Sequence, residues 1–172
     1  ELKALRSFVK AKNTSEAWKE VTRLETDSTC KHLLKVYELA IKTQIQINDV
    51  ENEKVYLKKP CDTTKLFEST RLIFCYIHKA DSLERAQKMD EGKRHQIDSD
   101  KAKLAERYYG NLKAGASYFY SRKKYQEAQR YLDMLLSISR SPLLDEDDRE
   151  ELAKNYKMNA YQYTYCAFQN KD

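Results

Sequence analysis

The side chains able to hold a metal or act as nucleophiles are few and scattered. The cysteines are Cys30, Cys61, Cys75 and Cys166, and the histidines are His32, His78 and His95. Cys30 with His32 and Cys75 with His78 are the only close Cys/His neighbours, and no CxxC pair occurs. A structural zinc site needs four ligands in matched pairs. These two pairs fall on different predicted helices, so no metal site is expected and the cysteines read as small hydrophobes. Their wide spacing in a chain of 172 residues also gives no disulfide framework. The acidic run Asp145-Glu146-Asp147-Asp148, with Glu150 and Glu151, could attract a cation. A calcium loop, however, needs alternating oxygen ligands and a central glycine, and both are missing. Placed just before an apolar helix, the run suits the positive end of that helix. The sequence holds no phosphate-cradling glycine loop, HExxH pair or nucleophile elbow. No Asp or Glu stands alone in an apolar context that would shift its pKa usefully. The expected protein is not an enzyme, and no cofactor is implied.

Recognition chemistry is better represented. There are 13 tyrosines, and most of them lie between Tyr108 and Tyr165. Tyrosine has an apolar body and a polar tip, which serves both helix packing and wet interfaces. Most should be half-buried packing residues, with a few available as binding anchors. The net charge is +5, from 32 basic and 27 acidic residues interspersed along the chain. A nucleic-acid domain clusters its Lys and Arg on one face. Here the densest basic spots, Lys58-Lys59 and Arg122-Lys123-Lys124, sit at predicted turns and read as solvated surface.

The elements that must position these groups are helices. Only three glycines and two prolines occur, too few turn residues for a sheet protein of this length. Charged residues make up 34% and hydrophobic residues 41%, as expected for helices with one buried face. No apolar run approaches the length of a membrane span. Helix one is predicted over residues 2–12, with Leu2, Leu5, Phe8 and Val9 at helical spacing. Asn13 can cap helix two, with Glu16 reaching back, and Ala17, Trp18, Val21 and Leu24 form its stripe. Helix three should start near Ser28 or Thr29 and thin out after Ile47, with Val55-Tyr56-Leu57 either helical or a packed loop. Pro60 closes this region and Asp62 can cap helix four, which runs to about Met89. The polar tract 88–103 reads as a loop or an exposed helix junction, and as a subdomain boundary. Helices five and six are predicted over 101–121 and 124–139, with Ser141-Pro142 as the break. Helix seven runs to about Phe168. Its Tyr161, Tyr163 and Tyr165 alternate like a strand, but the flanking residues favour helix.

Residues 105–136, AERYYGNLKAGASYFYSRKKYQEAQRYLDMLL, read as two helices joined by a tight basic turn. Leu112, Gly115, Ala116 and Phe119 stand on the first helix. Tyr125, Ala128, Leu132 and Leu135 stand on the second. This stretch resembles a tetratricopeptide repeat, a unit of about 34 residues that pairs two antiparallel helices with small residues at their crossing. Gly115 is small where the repeat usually has Leu. Pro142 lies 14 residues after Ala128, slightly beyond the usual closing position. A partial second copy follows: 111–116 resembles 155–160 at a shift of 44, whereas the turn residues imply a shift nearer 48. The resemblance implies an all-α, right-handed superhelix of antiparallel helix pairs over 1–172. Within it, 1–87 would form degenerate hairpins, 104–142 the best repeat, and 143–172 the first helix of a truncated one. The chain starts at Glu1 without a methionine and stops where the next helix should begin, so a piece of a longer protein is expected.

Repeats of this kind line a concave groove with the first helix of each pair. The resemblance assigns that surface to Gly110, Lys113, Ser117 and Tyr120, extended by Lys157 and Tyr161 if the shift of 44 holds. The subgroup that clamps a C-terminal carboxylate has Asn where this chain has Ser117, so carboxylate-terminus recognition is not implied. The implied function is a scaffold binding a protein or peptide segment; a helical-repeat nucleic-acid binder is the alternative. The Tyr-rich repeat and long middle helices resemble bacterial repeat proteins of the cell envelope, with any signal peptide already removed from this fragment.

Overall fold

The computed structural model describes residues 2–87, 91–139, 141 and 143–171, the side chains of 91–98 excepted. Among them the chain forms seven helices and no strand: α1 (Lys3–Lys10), α2 (Thr14–Thr26), α3 (Leu33–Tyr56), α4 (Thr63–Ala86), α5 (Glu91–Ser121), α6 (Tyr125–Ile138) and α7 (Glu146–Gln169). The all-α expectation from the scarcity of Gly and Pro therefore holds. The chain divides into two compact units, Glu1–Asp90 and Glu91–Asp172. The expected end of helix four near Met89, the first residues of the polar tract (88–90) and Pro142 lie outside the described residues. From Glu91 onward that tract is helix, so α5 starts ten residues earlier than its apolar pattern predicts.

In the first unit, α1 packs on α2, α2 on α3 and α3 on α4. Leu5 and Val9 of α1 and Ala17, Val21 and Leu24 of α2 are buried, as the spacing predicts; in α3 the expected Ala40 and Ile41 are buried together with Val36, while Leu33, Leu34 and Tyr37 are only half-buried. Asn13 caps α2 by accepting from the Glu16 amide at 3.3 Å. The reciprocal half of the capping box is not made: Glu16 pairs with Lys19 at 2.7 Å, and the Asn13 amide donates to Phe8 O instead. Helix α3 starts at Leu33, later than expected. The Thr29 amide and hydroxyl both donate to Asp27 Oδ1, and the Cys30 amide donates to Asp27 O. That local turn competes with helix for the same backbone groups.

Helix α3 then persists through its polar end because tertiary bonds hold it. Asn48 is fully buried, and its amide is shared among Leu66 O, Ser69 Oγ and Thr70 Oγ1 of α4, each at 3.0 Å. Glu51 accepts from the Asp62 amide at 2.8 Å and from Lys54 at 2.7 Å. Asp62 in turn caps α4 through the Lys65 amide at 3.0 Å. Helices α2 and α4 both pack on α3 and are tied to each other by side chains. The Tyr76 hydroxyl donates to Glu25 at 2.7 Å, and Lys79 pairs with the same carboxylate while its ammonium lies 4.7 Å from the Tyr76 ring centre.

In the second unit, α6 packs on both α5 and α7. Ala105, Leu112, Ala116 and Phe119 of α5 and Ala128, Leu132 and Leu135 of α6 are buried, and the backbone of Gly115 is buried with them. Phe119 meets Tyr131 across the crossing at 5.2 Å. Tyr161, Tyr163 and Tyr165 all lie within α7, so their alternation is not a strand. The acidic run acts as a helix start: Asp145 caps α7 by accepting from the Asp148 amide at 2.7 Å.

One device closes the turns after α1, α3 and α5. Lys12, Lys58 and Lys123 adopt positive φ of 54°, 53° and 58°. The amide after each bonds back to the helix: Asn13 to Phe8 O, Lys59 to Lys54 O and Lys124 to Phe119 O. This is the left-handed helix stop that glycine usually occupies, and lysine accepts strain there, which explains how so few glycines suffice. Replacing Lys123 with glycine should raise stability by up to about 1 kcal/mol in urea denaturation. A loss would show that the lysine is not strained. Ala128 has no exposed surface, so Ala128→Leu should overpack the crossing and cost about 1–3 kcal/mol. An unchanged melting temperature would mean that the crossing has room.

Candidate functional site

Because α5 and α7 both rest on α6, they run in the same direction with a gap between them. No backbone packing joins the two helices among the described residues. Side chains bridge the gap instead. At one end Lys113 Nζ meets both Glu151 oxygens, at 2.9 and 2.7 Å, and lies 4.5 Å from the Tyr109 ring centre. At the other end Tyr120, Tyr125 and Tyr165 pack edge to face, 5.5–6.3 Å apart. Between these ends is a cavity of about 200 Å³, lined by Leu132 and Leu135 of α6 and by Ala116 and Ser117 of α5. Asn155, Asn159 and Gln162 line it from α7.

The polar groups here are unusual in having no partner inside the fold. Tyr109 is only 2% exposed, and its buried hydroxyl has no hydrogen-bond partner among the described residues. Asn159 is 8% exposed, in a helix stripe otherwise made of Leu152 and Cys166. The side chains of Asn155, Asn159, Gln162 and Ser117 make no hydrogen bond to any described residue. Buried polar groups are nearly always satisfied, so the Tyr109 hydroxyl calls for water or an outside partner, while Ser117 is exposed and Asn155 and Gln162 are half-buried and reach solvent. Burial, and then the nearby Glu151, Asp148 and Asp145 carboxylates, hold the Tyr109 phenol well above its ordinary pKa, so it stays protonated and able to donate. Burial and the neighbouring Asp145 also raise Asp148, an effect that Lys113 opposes.

The structure brings Lys113 and Ser117 to the cavity. Lys113 is held by Glu151 rather than free, and Tyr120 packs in the tyrosine cluster. Lys157 and Tyr161 do not line the cavity. Both are exposed, Tyr161 by 67%, and the Tyr161 ring stacks on Tyr165 at 6.5 Å, at the edge of the tyrosine cluster. The buried stripe of α7 explains this: Leu152, Asn159 and Cys166 follow Ala105, Leu112 and Phe119 at one constant interval. That interval is longer than 44, so α7 is rotated from the shorter register. Tyr109, Glu151 and the amide row Asn155, Asn159, Gln162 were not anticipated as a site. An asparagine in the phase of an apolar stripe was the available signal. Gly110 is exposed, with open space where a Cβ would stand.

A larger groove in the first unit, about 720 Å³, is lined by Trp18, Ile47 and Val50 with lysines and carboxylates at its rim. Several of its polar groups are already engaged. Lys19 pairs with Glu16, Glu51 pairs with Lys54, and the Gln46 amide donates to Val9 O at 2.9 Å, although its buried Oε1 has no partner among the described residues. The smaller cavity gathers more polar side chains without a partner, which makes it the candidate. No protein-family model, curated protein or solved structure matches the chain.

The raised Tyr109 pKa gives a pH dependence. Below about pH 10, the unfolded tyrosine value, both states hold the proton and stability is unaffected. As pH rises above that value the unfolded chain ionises while the folded state resists, so stability falls. Tyr109→Phe should make that alkaline decline shallower in urea titrations of the full chain. An equally steep decline would place the phenol in water.

Proposed function

We propose that this chain is a non-enzymatic scaffold of the tetratricopeptide type, and that the groove between α5 and α7 binds an extended segment of a protein partner. The observation that carries this reading is the set of unpartnered hydrogen-bonding side chains around one open cavity. Left dry, each such group costs about 1–3 kcal/mol; water satisfies them in the free protein, and a ligand with matching groups can replace it. An extended chain rises about 3.3 Å per residue, so alternate residues repeat close to one 5.4 Å helical turn. A row of amides on one face of α7 can therefore follow a peptide backbone. The lysine-closed turns after α1, α3 and α5 also favour a chain of helical hairpins, and thereby the repeat reading. The one acid and base at the cavity, Glu151 and Lys113, neutralise one another, which suits binding rather than bond breaking. Carboxylates at the start of α7 beside the groove disfavour a phosphate backbone, and with it the nucleic-acid alternative.

Ser117 is exposed at the groove and makes no bond within the fold, so it is the cleanest place to block. Lys113 and Tyr120 are tied into the structure, and their removal would mix binding with stability. Ser117→Trp should reduce capture of short peptides from a displayed random library by about tenfold or more, with an unchanged melting temperature. Capture equal to the parent chain would rule out this groove.

A further inference from the structure

The cavity also has a chemical preference, an inference that rests on the groove reading. We infer that it selects a neutral carboxamide, the side chain of a glutamine or asparagine on the bound segment, over a carboxylate, an ammonium or an apolar group.

The argument begins with charge. Lys113 and Glu151 meet through both carboxylate oxygens, so each already has its counter-charge at the cavity. A carboxylate entering beside them would face Glu151 and Asp148 with no free cation to offset them. An ammonium would have to displace Lys113 from its pair. An apolar side chain would fill the space but leave the two most buried groups, the Tyr109 hydroxyl and the Asn159 amide, without a partner. A site built of hydrogen-bonding groups rejects a ligand that lacks them far more strongly than an apolar site rejects a polar one.

What the cavity offers decides among the remaining neutral groups. The Tyr109 phenol is protonated and can donate, the Ser117 hydroxyl can donate or accept, and each side-chain amide can do both. A carboxamide carries two N–H donors and a carbonyl acceptor, so it can answer donors and acceptors together. A serine or threonine hydroxyl offers one donor and is small for a space of about 200 Å³. Leu132, Leu135 and Ala116 give the aliphatic stem of a glutamine an apolar bed, which suits the longer of the two amide side chains.

The test uses short random peptides displayed against the full chain, with Tyr109→Phe and Ser117→Trp as comparisons. Tyr109→Phe keeps the ring beneath Lys113 and removes only the unpaired hydroxyl, so it should fold normally, as its melting temperature will report. The peptides retained by the parent chain should be enriched in Gln or Asn at one position by about fivefold or more, and that enrichment should fall with Tyr109→Phe while total capture persists. Single-position variants of a retained peptide, with Gln changed to Glu, Met or Lys, should each bind about tenfold or more weakly to the parent. Peptides retained through the groove, and so lost with Ser117→Trp, but showing an acidic, basic or apolar preference would overturn the carboxamide inference and leave the groove standing. An amide preference unaltered by Tyr109→Phe would also overturn it. No capture sensitive to Ser117→Trp would remove both.

Discussion

Helix α6 is the constraint on which the second unit depends. It has 14 residues, about 21 Å of helix, and must bury Ala128, Leu132, Leu135 and Ile138 against two longer neighbours at once. Two helices that share one narrow support lie side by side without interlocking, and their separation is set by the side chains between them. At the α5–α7 gap these are small or polar: Ala116, Ser117, Asn155 and Asn159. The gap therefore persists as a cavity with Leu132 and Leu135 as its floor. The groove follows from the packing of a short middle helix.

The first unit has the same arrangement with different filling. There α3 supports α2 and α4, and the tie between the flanking helices is Glu25, Tyr76 and Lys79. Trp18 and Tyr37 close around Tyr76 at 5.6 and 5.7 Å. These rings fill the α2–α4 gap around Tyr76, while the open groove of that unit lies along Trp18, Ile47 and Val50. The ties differ in strength as well. Tyr76 is buried, so its bond to Glu25 is sheltered from water, whereas the Lys113 and Glu151 side chains are 36% and 45% exposed. A pair that open to solvent contributes under about 1 kcal/mol. Its main effect at the cavity is to cancel charge.

The parts of the fold that rest on local chemistry were legible in the sequence. Asn13, Asp62 and Asp145 each stood before an apolar run and each caps a helix. The helical stripes gave most of the buried residues of α1, α2 and α6, but Phe8, Trp18 and Tyr125 are half-buried and the buried Tyr131 and Ile138 were not among them. Legibility failed where tertiary bonds overrode local preference. The polar end of α3 is helical because Asn48 and Glu51 find partners on α4 eighteen and eleven residues away in sequence. The Asx turn at Asp27 delayed α3 because its donors, Thr29 and Cys30, lay inside the run that looked helical. At the cavity, Lys113 and Ser117, which the sequence set on one face of α5, both line the space. The sequence could not show that Glu151 holds Lys113, since that pairing depends on how far α7 is rotated against α6.

That rotation puts an amide where an apolar residue would be expected. The stripe Leu152, Asn159, Cys166 faces α6, and its middle member is polar, buried and unbonded within the fold. A sequence that specifies one structure tends to agree at every level, and disagreements gather at functional sites. Asn48 is the instructive contrast: it is buried more completely, but its amide is fully engaged by α4, so it serves the fold. Asn159 has no such partner, and the same is true of Tyr109 across the gap. On opposite walls of one cavity, the buried Tyr109 hydroxyl and the side chain of the mostly buried Asn159 both lack a partner within the described fold. A ligand that donates and accepts at that place would supply one.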